Sequence, residues 1–230
     1  MEKNYPKALV VDRRDLTQDL MILTLKPETL FPFAPGQYCT FMKDGIKRPY
    51  SIASAPHEGF LEFFIELVPH GALTPKLWEL KIGDTIEMLF NRGKGVFLFE
   101  PALHNQVMVC TVTGVAPFVS MIRMLGGSTG HKFYVFQGAS YCDEFGYDTE
   151  LANTKSVTYV STVSRPQDSR NAAWQGETKR VNERIEEFLM RFKLLPENTM
   201  IYACGNSGMI KDVTQRLEPR GYRVRAEEFF

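Results

Sequence analysis

The sequence predicts a two-domain β plus α/β protein, with a six-stranded antiparallel β-barrel over residues 1–101 and a parallel-sheet α/β domain over residues 106–230. Three observations predict it. Residues 60–68, FLEFFIELV, put Leu61, Phe63, Ile65 and Leu67 on one face with Glu62 and Glu66 on the other, the period of a half-buried strand. Similar short apolar runs recur before residue 101, separated by turn formers, a spacing that favours a small closed barrel. After Pro101 apolar runs alternate with helical segments instead, which predicts a parallel sheet covered on both faces, with ligands at the C-terminal ends of its strands.

In the first part, strands are expected at 7–12, 20–25, 37–42 and 85–90, with Pro32, Pro35-Gly36, Gly45, Gly59 and Gly83-Asp84 between them. One short helix interrupts them, with Thr74 as N-cap and Pro75 at the first helical position before KLWEL. In the second part, strands are expected at 107–112, 132–137, 156–163 and 199–204. A helix over about 177–192 carries Val181, Ile185, Phe188, Leu189 and Phe192 as one apolar stripe. Another follows Ser207, with Met209, Ile210, Val213 and Leu217 inward, and residues 164–176 form a polar, Arg-containing loop.

Composition narrows the function classes. Of 230 residues, 27 are Lys or Arg and 27 are Asp or Glu, so the net charge is zero, which argues against a nucleic-acid binder. No stretch is apolar enough for a membrane span, and the start, MEKNYPKALVVDRRD, lacks the apolar core of a secretion signal, so a cytoplasmic location is expected. Cys39, Cys110, Cys142 and Cys204 are far apart, a spacing that fits free thiols in a reducing compartment and no metal site.

Four short segments carry the chemistry. Arg48-Pro49-Tyr50-Ser51 ends a barrel strand; alone it is weak, since Tyr50 could simply fill the core. Gly71-Ala72-Leu73-Thr74 precedes the short helix, Thr113-Gly114-Val115-Ala116-Pro117-Phe118 follows a strand, and Cys204-Gly205-Asn206-Ser207-Gly208-Met209 follows the last internal strand. A proline at the start of a helix leaves neighbouring N–H groups free for an anion. Each turn taken singly is also an ordinary structural turn; their joint order and spacing are specific.

In that order and spacing the chain resembles the ferredoxin–NADP reductase superfamily over nearly its whole length. The resemblance implies a flavin held by the RxYS and GxLS/T segments: Tyr50 stacking on the ring, Ser51 reaching its N5 region, Arg48 and the Gly71–Thr74 turn meeting its phosphates. It favours FAD, with FMN as the alternative. It implies a pyridine nucleotide held by Thr113, Gly114 and Pro117 at its pyrophosphate, and by Cys204, Gly205 and Met209 around the nicotinamide. Cys204 has two further readings, a core thiol and a nucleophile without a His partner. Ser164, Arg165 and Arg170 occupy the loop where NADP-specific members bind the 2′-phosphate, so NADP(H) is preferred over NAD(H), the alternative being a solvated basic loop. Val112 stands where the family commonly has glycine, and Ser140 where many relatives have arginine.

Several relatives end in Glu-x-aromatic, which Glu228-Phe229-Phe230 matches. On that reading Phe230 covers the flavin and Glu228 moves a proton near Ser51; otherwise both rings close the core. The implied activity is hydride transfer between nicotinamide C4 and flavin N5, coupled to one-electron exchange with ferredoxin or flavodoxin, by a monomer. Lys43, Lys47, Arg92 and Lys94 are candidates for a basic rim toward that acidic partner. The alternatives are an NAD(P)H-dependent free-flavin reductase, the reductase component of an oxygenase, and a non-catalytic electron-transfer subunit.

Overall fold

β-branched and aromatic residues in period-two runs form the first sheet. In the computed structural model, which describes residues 5–90, 97, 99–127 and 130–228, it comprises β1 (Lys7–Asp15), β2 (Leu20–Pro27), β3 (Tyr38–Lys43), β4 (Ile46–Ser51), β5 (Leu61–Glu66) and β6 (Thr85–Phe90). All pairings are antiparallel, in the order β4-β3-β6-β1-β2-β5. The backbone N–H of Ala53, just past β4, donates to the carbonyl of Glu62 on β5 at 2.7 Å, so the two edges of the sheet are drawn together. Asp44 and Gly45 turn the β3–β4 hairpin, both in the left-handed region, as a two-residue hairpin loop demands.

Leu23, Phe41, Phe63, Ile65 and Ile86 fill the barrel interior. β5 departs from simple alternation because Phe64, on its outward face, is also buried. It packs edge-on against Tyr147 of the second half, with ring centroids 5.9 Å apart. The short helix α1 spans Thr74–Trp78, but its N-cap is Leu73 rather than Thr74. The Thr74 hydroxyl is engaged elsewhere: it donates to the carbonyl of Val68 and accepts from the N–H of Val68.

The second sheet contains β7 (Asn105–Thr111), β8 (Lys132–Ala139), β9 (Val157–Val163), β10 (Glu177–Thr178), β11 (Thr199–Gly205) and β12 (Arg223–Glu228). It is parallel throughout, in the order β10-β9-β8-β7-β11-β12. From β7 the chain proceeds outward in one direction through β8, β9 and β10, then returns to the other side of β7 as β11. The topological switch point therefore lies between the C-terminal ends of β7 and β11.

Helices cover both faces. α2 (Ala116–Leu125) and α3 (Asp148–Asn153) bury Phe118, Val119, Ile122 and Leu151 with Met108 and Cys110. α4 (Val181–Arg191) and α5 (Ser207–Leu217) bury Ile185, Phe188, Met209 and Val213 with Val107 and Val109, the alternate residues of the same strand. The segment expected to begin a helix at 177 instead places residues 177–178 in β10, and helix begins only after Arg180, whose backbone is extended. β12 and α3 were not anticipated.

The two halves share a core and a polar seam. Leu20, Ile22, Ala53 and Phe64 of the barrel pack in one cluster with Phe118, Val119 and Met121 of α2. Ser120 Oγ donates to the carbonyl of Ser54 at 2.7 Å. Arg123 pairs with Glu58 and Glu62 of the barrel at 3.4 and 3.0 Å and with Glu150 of α3 at 2.7 Å. A guanidinium satisfied on both forks by carboxylates is the sort of ion that survives partial burial.

Candidate functional site

Two neighbouring cavities lie at the seam. The first, of about 530 Å³, is lined from the barrel side by Arg48, Pro49, Tyr50 and Ser51 at the end of β4, and by Gly71, Ala72, Leu73 and Thr74 before α1. Thr113, Ala116 and Glu227 close it from the α/β side. One face of Tyr50 stacks on Phe41 with centroids 4.7 Å apart, and burial pushes its hydroxyl pKa up to about 12, so it stays neutral. Gly71 packs closely in its own turn: a Cβ there would lie 3.0 Å from Val68 and 3.1 Å from the Thr74 hydroxyl.

Two buried oxygens in this cavity have no hydrogen-bond partner among the described residues, Ser51 Oγ and Glu227 Oε2. Buried polar atoms are rarely left unmade, and each such atom costs about 1–3 kcal/mol. Burial pushes the Glu227 carboxyl up to about 7, so near neutral pH it holds a proton part of the time. Glu227 is therefore a C-terminal carboxyl that faces the cavity. The side chain of Glu228, together with Phe229 and Phe230, lies outside the described residues, as do Arg92 and Lys94 of the expected basic rim.

The second cavity, of about 560 Å³, sits at the switch point. Thr113, Ser164, Arg165, Gly205 and Met209 line it, as do Ser140 and Arg180. Gly205 has a φ of 120° and packs so tightly on Thr111 that no side chain fits. Asn206 caps α5, its side chain accepting the N–H of Met209 at 3.1 Å, while its own N–H donates to Thr111 Oγ1 at 2.9 Å. Val112 has a φ of 41°, in the left-handed region that glycine adopts freely and a β-branched residue resists.

Four expected ligands stand outside these linings. Gly114 is buried against the Cys204 carbonyl, where a Cβ would clash, and Pro117 is buried within the first turn of α2. Cys204 is wholly buried beside its strand neighbours Cys110 and Glu227; burial raises its thiol pKa far above the ordinary value, which leaves it a core thiol. Arg170 turns away to pair with Asp143 at 2.6 Å and to stack 3.8 Å from the Tyr141 ring centroid. Arg165 remains at the cavity, its Nη1 donating to the Tyr141 hydroxyl at 2.7 Å.

Comparison with known proteins reads the same two halves. Residues 7–96 match the profile of the oxidoreductase FAD-binding domain, and residues 108–215 that of the oxidoreductase NAD-binding domain. Ferredoxin–NADP reductase A of Sorangium cellulosum is 26% identical, over 96% of this chain and 86% of its own. The flavodoxin/ferredoxin–NADP reductase of Escherichia coli is 27% identical, over 85% of this chain and 83% of its own. The crystal structure of a ferredoxin NADP⁺ reductase from Neisseria gonorrhoeae with bound FAD and NADP superposes with a TM-score of 0.86 at 25% identity, covering all of both chains.

The chain belongs to the ferredoxin–NADP reductase superfamily. It is an oxidoreductase with an FAD-binding and an NAD(P)-binding domain. Within this family setting, sequence reasoning missed Glu227 and Arg180. Nothing in the local sequence marked Glu227 as facing the cavity, and Arg180 was hidden inside a helix drawn four residues too long at its start. The available signal was the cation immediately before the apolar stripe of α4.

Among the described residues no helix is long and apolar enough to cross a membrane, and no cluster of His, Cys, Asp and Glu is arranged to hold a metal.

Proposed function

We propose that this chain passes electrons between NADP(H) and a one-electron protein carrier, ferredoxin or flavodoxin, through FAD held in the first cavity. The observation that carries the reading is the pairing of the two cavities: an aromatic-walled pocket with two unsatisfied buried oxygens opens beside a cation-bearing pocket at a switch point. Bound there, the flavin supplies the chemistry that links two-electron hydride exchange to one-electron steps.

The chain's own residues position and protect. Tyr50, backed by Phe41, offers a rigid apolar wall, and Arg48 at the rim offers donors for a phosphate. Ser51 Oγ can donate or accept at the ring edge, and Glu227 can hold or release a proton near neutral pH. In the second cavity, Ser164, Arg165 and Arg180 supply charge-assisted donors suited to a phosphate monoester, which supports NADP(H) over NAD(H). The names of the relatives point to the same carriers and nucleotide.

The test is the visible spectrum of the purified chain, followed by anaerobic titration with NADPH and with NADH. Flavin absorption should bleach at lower NADPH than NADH. A chain that takes up no flavin after reconstitution overturns the proposal, and bleaching at equal concentrations overturns the NADP(H) preference.

A further inference from the structure

Among the described residues, Glu66 and Thr113 alone line both cavities. Glu66 ends β5 of the barrel, and Thr113 lies in the turn after β7. They mark the passage between the two spaces. On the function proposed above, a dinucleotide seated in the second cavity with its reactive ring toward the first must thread this passage.

The charge at the passage is unusual. Glu66 makes no salt bridge with any described residue, and neither Arg165 nor Arg180 pairs with it, although both line the same cavity. Among the described residues, the titratable groups whose charges act on it are two more carboxylates, Asp19 in the β1–β2 turn and Glu144 after β8. Among the described residues no charge offsets this carboxylate, and the diphosphate of a dinucleotide would repel it too. One part of that ligand would not.

Loss of hydride from C4 removes two electrons and one proton from the dihydronicotinamide ring, breaking the C4–H bond and leaving a pyridinium cation; the reduced ring is neutral. A carboxylate beside the ring therefore interacts strongly with one redox form and weakly with the other. We propose that Glu66 is a charge-selecting residue that holds the oxidised nicotinamide more tightly than the reduced one. By linkage, a site that prefers the oxidised ring makes the bound nucleotide a better hydride donor by the same factor. Glu66 itself is exposed and Thr113 partly so, and screening by solvent keeps the preference to about five- to tenfold.

The test compares wild type, Glu66→Gln and Glu66→Asp, each loaded with flavin, by calorimetric titration with three ligands. These are NADP⁺, tetrahydro-NADP, whose ring is neutral and cannot give up hydride, and 2′-phospho-AMP, which has no ring. Glu66→Gln should weaken NADP⁺ about five- to tenfold, while tetrahydro-NADP and 2′-phospho-AMP change less than about twofold or tighten. Glu66→Asp should keep most of the wild-type preference for NADP⁺. Equal changes for NADP⁺ and tetrahydro-NADP, or no change for either, would overturn the assignment while leaving the proposed function standing. A flavin-loaded wild type that binds none of the three ligands overturns the proposed function itself, and the assignment with it.

Discussion

Glu227 gives the sharpest prediction because its burial can be converted into a stability profile. Burial raises its carboxyl from an ordinary 4.5 to about 7. Between those values the folded chain holds a proton that the unfolded chain has released, so folding stability falls as pH rises through the window. The contribution is fully present below pH 4.5 and fully lost above about pH 7. At about 1.4 kcal/mol per unit the ceiling is about 3 kcal/mol, and relaxation around a partly buried group brings the expected value to about 2 kcal/mol. Glu227→Gln keeps the shape and removes the titration. Urea unfolding of the flavin-free wild type and variant between pH 4 and pH 9, an interval of about 5 units around the window, isolates this group, since all other titrations cancel in the difference. The variant should gain about 2 kcal/mol on the wild type across the window and then plateau. A difference that is flat within about 0.5 kcal/mol, or that slopes the other way, refutes the account of a desolvated carboxyl.

Other substitutions test other links. Val112→Gly should be more stable than Val112→Ala by about 1 kcal/mol, inverting the usual order, because alanine loses the packing but keeps the left-handed backbone; the opposite order in chemical denaturation refutes strain at this turn. Arg123→Met leaves Glu58, Glu62 and Glu150 facing one another and should cost about 3 kcal/mol in urea unfolding, with part recovered on adding Glu150→Gln. A loss below about 1 kcal/mol would show that the seam does not depend on this cluster. Cys39, Cys110 and Cys204 are buried and Cys142 is partly exposed, so Ellman's reagent should find one fast thiol in the native chain and four after denaturation. Rapid labelling of Cys204 would contradict its place in the core.

The sequence carried the architecture well because its strands alternate and its helices repeat. Val107, Met108, Val109 and Cys110 are apolar without a break, and the structure shows why: helices bury both sides of β7. What stayed illegible was parity and long-range pairing. No local pattern marks Glu227 as inward-facing; its side depends on the register of β12 against β11, where it stands beside Cys204, over twenty residues away. Arg165 and Arg170 look equivalent in a polar loop, yet Asp143 captures only Arg170, a pairing no local pattern encodes. Val112 is the converse case. Its replacement of a common glycine was visible in the sequence, and its left-handed backbone shows that the turn keeps the conformation that glycine would supply.

The seam between the halves also sets how the molecule can move. Domain closure works by hinge or shear, and both need a joint that can slip. Here α2 shares its apolar neighbours with the barrel, Ser120 is fastened to the Ser54 backbone, and Arg123 spans three chain segments. Slippage at this joint would have to break that shared packing and those ion pairs, so the seam opposes any change in the distance between the two cavities.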